Sequence, residues 1–229
     1  MTSDQNGAVV IAIDGPAASG KSSTAQAVAR ALGYAHLDSG ALYRGLTFLA
    51  LEGGQGSGRF DVTAILAEAA RRGLGLRPGE TGFDLHLDGR TAEDRIRSAE
   101  VTANVSEVSA LAALRDWVNA RLRQVTRGVG GVVVDGRDIG TVVFPDAALK
   151  VFLNASPRAR AERRLRQRGE AADAARVAEE AARLEARDRQ DAARPVAPLR
   201  AAPDAVLVDG TDLTFEEQVA RIVALARGG

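Results

Sequence analysis

Cysteine is absent from this chain, and histidine and lysine are almost absent: the 229 residues include only His36, His86, Lys21 and Lys150 of these types. Without cysteine the chain can form neither a disulfide nor a thiolate metal site, and two histidines argue against a histidine-based metal centre. A membrane-spanning helix needs about 18 consecutive apolar residues, and no such run occurs. The leading segment Met1–Gly7 is short and polar, unlike a secretory signal. We therefore expect a cytoplasmic protein without a membrane partner.

An excess of charge is also lacking, because 30 basic side chains, nearly all arginine, match 30 acidic ones. Bulk electrostatics therefore give no reason to expect nucleic acid as a partner. A hydrophobic content of 45% in a chain of this length is sufficient for one substantial core. We expect a single monomeric domain over residues 1–229 that carries a small insert.

What the chain does contain is an apolar strand pattern followed at once by G-x-x-x-x-G-K-S over Gly15–Ser22. Glycines allow the backbone of such a loop to turn its N–H groups toward phosphate oxygens, at the positive end of the following helix. In this motif Lys21 reaches the outer phosphates and the Ser22 hydroxyl ligates Mg²⁺. A glycine-rich turn that merely joins strand to helix is the alternative, but one of only two lysines stands where the motif requires it. The residues that we expect to bind the phosphates of a nucleoside triphosphate are Gly15, Pro16, Ala17, Ala18, Ser19, Gly20, Lys21, Ser22 and Ser23.

Strand patterns alternate with helical patterns along most of the chain, which predicts an α/β protein with a parallel sheet covered on both faces. The strand patterns lie near residues 9–14, 35–38, 132–135, 149–153 and 205–209. Between residues 60 and 100, period-two alternation and tight turns predict a small antiparallel insert. Apolar spacing from Val105 to Val125 predicts one long helix, and residues 157–193 read as helical with a break near Gly169.

A P-loop alone does not distinguish a switch, a motor and a kinase. The chain is too short for a motor with coupled domains, and its two lysines rule out the guanine-reading N-K-x-D motif of GTPases. Ser39 and Arg44 follow the second strand, and Arg137 and Asp138 follow the strand that ends at Asp135. Because ligands of open α/β sheets bind at the carboxyl ends of the strands, these residues could receive a second, acidic substrate.

A second polar group consists of Arg187, Asp191 and Arg194, whose spacing places them on one helical face. The alternative for this group is a solvated row of ion pairs. Spacing alone does not separate the two interpretations.

Four runs of the sequence together identify a family. They are Ile13–Ser22, Leu37–Arg44, Asp135–Ala147, and Arg187–Asp191 leading to Arg194 and Ala197–Leu199. With these runs the chain resembles the bacterial cytidylate (CMP) kinases, nucleoside monophosphate (NMP) kinases of the P-loop class, from about residue 9 to residue 225. The resemblance implies a three-layer P-loop kinase fold with a central parallel five-stranded sheet, a small mixed or antiparallel NMP-binding insert at 60–100 and a helical lid at 157–190. It also implies that ATP, with Mg²⁺, phosphorylates CMP or dCMP.

The resemblance also implies which residues bind CMP: Ser39, Arg44, Ser106, Arg115, Arg137, Asp138, Arg187, Asp191 and Arg194. Two of the arginines, Arg44 and Arg137, would hold the CMP phosphate, a task that suits the bidentate guanidinium. The carboxylate of Asp138 would accept from the N4 amino group of cytosine, which uracil lacks. Ser106 and Arg115 would also read the base, although both could simply lie on the polar face of their helix.

In the lid, the resemblance implies that Arg160 lies near the adenine. It also implies that Arg163 and Arg164 move toward the transferred phosphoryl group. The residues implied to act in catalysis are Lys21, Arg137, Arg163, Arg164 and Arg194. The metal ligand is Ser22, and either Asp38 or Asp135 could hold Mg²⁺ through water or instead cap its own turn. Another small-molecule P-loop kinase and a nucleotide-dependent switch without turnover remain the alternative functions.

Overall fold

The computed structural model describes residues 8–56 and 58–228. The segment Met1–Gly7, Ser57 and Gly229 lie outside the described residues. The strands are β1 Val9–Asp14, β2 Ala35–Asp38, β3 Gly75–Pro78, β4 Phe83–Leu87, β5 Arg90–Thr91, β6 Gly131–Gly136, β7 Leu149–Asn154 and β8 Val206–Asp209. The α-helices are α1 Lys21–Leu32, α2 Ser39–Glu52, α3 Val62–Arg71, α4 Ala99–Val108, α5 Ala112–Val125, α6 Pro157–Gln167, α7 Ala174–Ala192 and α8 Phe215–Gly228.

Five strands form the main sheet, in the order β2-β6-β1-β7-β8. Strand β1 pairs in parallel with β7, and β7 pairs in parallel with β8. The predicted central sheet of five parallel strands is thereby confirmed. Strand β1 is the central strand, so the loop that follows it lies where ligands of open α/β sheets bind.

The chain divides into two compact units, one containing Ala35–Val132 and the other Val9–Tyr34 with Val133–Gly229. In the second unit, apolar side chains from β1, β6, β7 and β8 meet those of α1 and α8 in one core. The members of this core that are at most 2% exposed are Ile11, Ile13, Ala25, Val28, Ala29, Val133, Val151, Leu153, Val208 and Ile222. Helix α8 begins with a capping box, in which Thr214 and Glu217 exchange side-chain to backbone hydrogen bonds.

In the first unit, strands β3, β4 and β5 form a separate three-stranded antiparallel sheet, which confirms the predicted antiparallel element. Helix α2 packs against α3 and α4. Helix α3 begins after Asp61, whose side chain accepts a hydrogen bond from Ala64 N. That residues 60–100 form an NMP-binding insert, and residues 157–190 a lid, stays a prediction.

The single long helix predicted over Val105 to Val125 is wrong, because the chain forms α4 and α5 with a break at 109–111. Leu111 adopts an extended conformation, with φ −74° and ψ 115°. The carbonyl oxygen of Ser109 accepts a hydrogen bond of 2.9 Å from Arg115 Nη1, so a side chain satisfies this backbone group at the break. Apolar spacing continues in register across the break, which is why periodicity does not reveal it.

The sequence also placed Arg194 on the same helical face as Arg187 and Asp191, and that expectation is wrong as well. Helix α7 ends at Ala192, and Arg194 lies beyond its end. Arg194 precedes Pro195, and a residue before proline is held out of the helical region. Within the described ranges, no helix has both the length and the apolar character needed to cross a membrane.

Candidate active site

The loop Gly15–Gly20 joins β1 to α1 at the carboxyl end of the central strand. A Cβ atom on Gly15 would lie 2.1 Å from the carbonyl oxygen of Leu153, so only glycine fits there. Gly20 has a φ of +87°, and Ala18 has a φ of +58°, which is strained for a residue with a side chain. Lys21 is buried, and its Nζ donates to the carbonyl oxygen of Pro16 at 3.1 Å. The strand, turn and helix of a P-loop are therefore all present.

The hydroxyl of Ser22 donates a hydrogen bond of 2.5 Å to Oδ2 of Asp135, at the end of β6. Asp135 is only 1% exposed. Hydroxyl and carboxylate oxygens suit Mg²⁺, which usually keeps several waters and binds through one or two carboxylates and substrate phosphates. Among the described residues, no group of three or more acidic or histidine side chains could hold a metal by itself. The Ser22 hydroxyl and the Asp135 carboxylate therefore fit a metal ion that is shared with a bound nucleotide.

Asp14, the last residue of β1, fixes the segment that follows β6. Its Oδ1 accepts from Ile139 N and its Oδ2 from Gly140 N, each at 2.8 Å. Burial raises the pKa of this carboxyl from 3.8 to about 6, against the lowering effect of the two hydrogen bonds. The negative charge of Asp138 raises the pKa further, whereas Lys21 lowers it.

Three residues of the predicted site form one buried charge cluster. Asp191 is 1% exposed and accepts from Arg137 Nε at 3.1 Å and from Arg194 Nη2 at 2.5 Å. The solvated row of ion pairs, the alternative that the sequence left open, does not describe Asp191 or Arg194, which are both buried. Asp138, beside Arg137, is buried too. The structure therefore brings together Arg137, Asp191 and Arg194, and Arg187 is half-buried on α7.

The three arginines of the predicted lid contact groups of their own unit. Arg160 on α6 is 4% exposed and donates through Nη1 to the carbonyl oxygen of Ala17, within the P-loop. Arg163 donates to the carbonyl oxygen of Gly210, and Arg164 lies 3.6 Å from Glu180 of α7. Burial lowers the pKa of Arg164, and the neighbouring charges of Arg168 and Arg137 lower it further.

In the first unit, the predicted acceptor-binding residues lie along α2, α4 and α5. Helix α2 begins at Ser39, directly after Asp38, whose carboxylate caps the helix by accepting from Gly40 N at 2.8 Å. Ser39 is buried at the first position of this helix. Arg44, one turn further on, donates to Thr102 Oγ1 at 3.0 Å.

Ser106 and Arg115 are both buried, at 5% and 2% exposure. The guanidinium of Arg115 stands over the ring of Tyr43, 5.4 Å from its centroid. Their burial argues against the alternative that both residues simply lie on a polar helix face. A buried arginine on α5, held by an aromatic ring and a backbone carbonyl, is a fixed group with directed N–H donors.

Sequence reasoning missed three charged residues of this region: Asp14, Asp188 and Glu180. Asp14 and Asp188 stand inside the runs that carry the family resemblance, directly beside Gly15 and Arg187. Their partners are far away in the chain, and no local pattern marks such pairs. Glu180 carries no comparable signal, because it looks like one of many charged residues on an arginine-rich helix.

Comparison with known proteins places the whole chain in one group. The family model described as cytidylate kinase matches residues 11–228. A cytidylate kinase from Streptococcus equi subsp. equi (strain 4047) is 44% identical over 213 residues, which cover 93% of each chain. One from Mycobacterium avium (strain 104) is 42% identical, with 96% of this chain and 95% of that protein covered. One from Geobacillus thermodenitrificans (strain NG80-2) is 44% identical, with 95% and 96% covered.

Proposed function

We propose that this chain, which belongs to the cytidylate kinase family, is an ATP-dependent kinase that phosphorylates CMP and dCMP. A phosphate oxygen of the acceptor attacks the γ-phosphorus of ATP, and the bond to the β–γ bridging oxygen breaks, giving ADP and CDP or dCDP. The observation that carries this proposal is the family match over residues 11–228. Because the attacking oxygen is already anionic, alignment and charge neutralisation account for catalysis, and no strong general base is needed.

On the ATP side, the backbone of Gly15–Ser23 surrounds the phosphates and Lys21 neutralises charge on the outer ones. The hydroxyl of Ser19 supports this assignment, since it is buried and has no hydrogen-bond partner within residues 8–56 and 58–228. A phosphate oxygen would satisfy that donor. The short contact between Ser22 and Asp135 supports these two residues as the holders of Mg²⁺, which neutralises phosphate charge when bound. Asp38 is committed to capping α2, so Asp135 is the better candidate of the two aspartates.

On the acceptor side, the charged residues of the second unit hold one another in place. In the second unit Asp191 holds the Nε edge of Arg137, which fixes the direction in which this guanidinium presents its other donors to the CMP phosphate. Arg194, held by the same carboxylate, acts near the transferred group. Asp138 accepts from the cytosine amino group, and Arg187 and Asp191 contact the ribose.

In the first unit Ser39 and Arg44 bind the CMP phosphate, and Ser106 and Arg115 read the base. The burial of Arg115 supports this role, because a fixed donor in a dry environment discriminates between bases more strongly than a mobile one. Arg163 and Arg164 are engaged by Gly210 and Glu180, so their action on the phosphoryl group requires a movement of α6. We further expect a cytoplasmic monomer with no nucleic-acid or membrane partner.

The proposal is tested by adding each nucleoside monophosphate in turn to the protein with ATP and Mg²⁺ and measuring ADP release. We expect release with CMP and dCMP and much less with UMP, AMP or GMP. Preference for another monophosphate, or for a small acid or sugar in an extended panel, would support a different P-loop kinase. ADP release that no acceptor stimulates would support the nucleotide switch and exclude the proposed reaction.

Base selection is tested separately with Asp138→Ala. The change removes the acceptor for the cytosine amino group, so we expect the preference for CMP over UMP to fall by about 10- to 100-fold. The matched control is Asp146→Ala, which removes an exposed carboxylate from the same loop. Unchanged acceptor selection in a folded Asp138→Ala variant would remove Asp138 from the cytosine site.

A further inference from the structure

We propose that Asp188 and Arg160 are positioning residues, which hold the P-loop in its phosphate-binding conformation through the backbone of Ala17. The proposal deepens the proposed function and depends on it, because it assumes that Gly15–Ser23 binds the phosphates of ATP. Neither side chain needs to touch a nucleotide. Both act on the loop that does.

Both polar groups of the Ala17 backbone are held by these two side chains. Ala17 N donates to Oδ1 of Asp188 at 2.9 Å, and the carbonyl oxygen of Ala17 accepts from Arg160 Nη1 at 2.9 Å. The ring closes because Arg160 Nη1 also contacts Oδ2 of Asp188 at 2.5 Å. A carboxylate and a guanidinium thus hold the backbone of one residue, Ala17, at its N–H and at its carbonyl oxygen.

Arg160 and Asp188 are themselves held in place by burial and by further contacts. Arg160 is 4% exposed, and its Nε donates to the carbonyl oxygen of Ala155, just before α6. Asp188 lies on the last turns of α7 and is partly buried. Hydrogen bonds between ionised and buried groups are stronger than neutral ones and are costly to break. Apolar packing also holds Ala17 in place. Its side chain belongs to a buried cluster formed by Ala17, Ala161, Leu165, Val177 and Leu184.

The loop has a specific need for such support at this point. The next residue, Ala18, has a φ of +58°, a conformation that persists in a residue with a side chain only when surrounding contacts enforce it. The Ala17 N–H donates to Asp188, so this amide holds the loop and does not bind phosphate. The amides that follow it in the loop are the ones that bind phosphate oxygens. A looser Ala17 would let Ala18 relax and would misdirect the amides of Ser19 and Gly20.

Because the contacts of Asp188 and Arg160 act on the ATP loop, their loss should weaken ATP and ADP binding more than CMP binding. The test uses the full chain with Asp188→Asn, Arg160→Lys and the double variant. Glu179→Gln is the control, because it breaks an exposed ion pair with Arg183 on the same helix. Asparagine can still accept from Ala17 but presents an amide toward Arg160. Lysine keeps the charge of Arg160, but its donors all lie on one nitrogen and cannot replace both Nε, which bonds Ala155, and Nη1, which bonds Ala17 and Asp188.

We expect the Kd for ADP, measured by titration calorimetry, and the KM for ATP to rise about tenfold in each single variant, with KM for CMP changed by less than about threefold. The double variant should be little worse than either single one, because both side chains hold the backbone of the same residue and also contact each other. Asp188→Ala measured beside Asp188→Asn keeps the test valid if one of them unfolds. A thermal unfolding scan identifies the folded variants.

A folded Asp188→Asn and a folded Arg160→Lys that bind ADP as the wild type does would overturn the proposal. Equal increases of both KM values would also overturn it, since they indicate general damage to the unit. The ADP titration needs no acceptor. A wild-type protein that binds ADP but transfers nothing to CMP would therefore contradict the proposed function and leave this measurement intact.

Discussion

The pH dependence of folding should carry a signature of Asp14. This carboxyl is buried at the end of β1, and folding raises its pKa from 3.8 to about 6 because burial disfavours the charged form. The folded state therefore holds the proton more tightly than the unfolded state. The stability that the protonated acid contributes is fully present below about pH 4 and is lost as the pH rises through about 6. Asp14→Asn removes this titration.

The magnitude follows from the two pKa values. Their difference corresponds to roughly 3 kcal/mol over the full range, at about 1.4 kcal/mol per pKa unit. Of this, about 2 kcal/mol falls between about pH 4.5 and about pH 7.5. Asparagine adds a penalty that does not depend on pH, because its amide nitrogen cannot accept from Ile139 or Gly140, and a buried unpaired N–H costs about 1–3 kcal/mol. The pH-dependent part is separable because it alone changes across the titration.

The assay is urea unfolding of the wild type and of Asp14→Asn at several pH values over that range, without nucleotide. The free energy of unfolding of the wild type minus that of the variant should fall by about 2 kcal/mol from the lowest to the highest pH. Asp209→Asn is the flat control, because the hydroxyl and N–H of Thr211 lower the pKa of Asp209 from 3.8, which places its titration below this pH range. A flat difference for Asp14, or one that rises with pH, would refute the reasoning from burial.

Three further changes test the rest of the site. Lys21→Met should lower kcat in the ADP-release assay by on the order of a hundredfold or more, because it removes a cation that neutralises the developing phosphate charge. A loss of less than about tenfold in a folded variant would count against this role. Asp191→Asn should lower the free energy of unfolding by about 2–4 kcal/mol in chemical denaturation, because its two arginine partners stay buried with less negative charge; an unchanged midpoint would show that they find other partners. Glu180→Gln should speed amide hydrogen exchange in α6 by about tenfold, since Arg164 loses the buried carboxylate beside it. Exchange at the wild-type rate would show that apolar packing alone holds α6 to α7.

Most of the second unit is predictable from sequence because its signals are local. The strand before Gly15, the glycine-rich turn and the helix after it follow each other within one stretch of chain. The same holds for the capping box at Thr214 and Glu217, where both partners lie within one helical turn. The apolar runs of the inner strands β1 and β6 were equally direct, since parallel strands that are covered on both faces read as nearly continuous apolar runs.

What sequence could not supply were partners that meet only after packing. Arg160 and Asp188 are 28 residues apart, and each separately looks like a charged helix residue. Asp14 meets Gly140 only because β1 and β6 are neighbours in the sheet. The interruption between α4 and α5 likewise involves Arg115, whose guanidinium donates a hydrogen bond to the carbonyl oxygen of Ser109 at the break. The family resemblance identified the site residues, but their hydrogen-bond partners became visible only in the structure.

The burial of both lysines has a practical consequence for handling the protein. Lys21 is 8% exposed and Lys150 is 9% exposed, and Lys150 is paired with Asp204. Acylating dyes, amine cross-linkers and amine-coupled sensor chips will therefore find almost no reactive side chain on the surface. The little labelling that does occur at Lys21 should disappear when a nucleotide fills the loop, so acylation mapped by mass spectrometry becomes a footprint of occupancy.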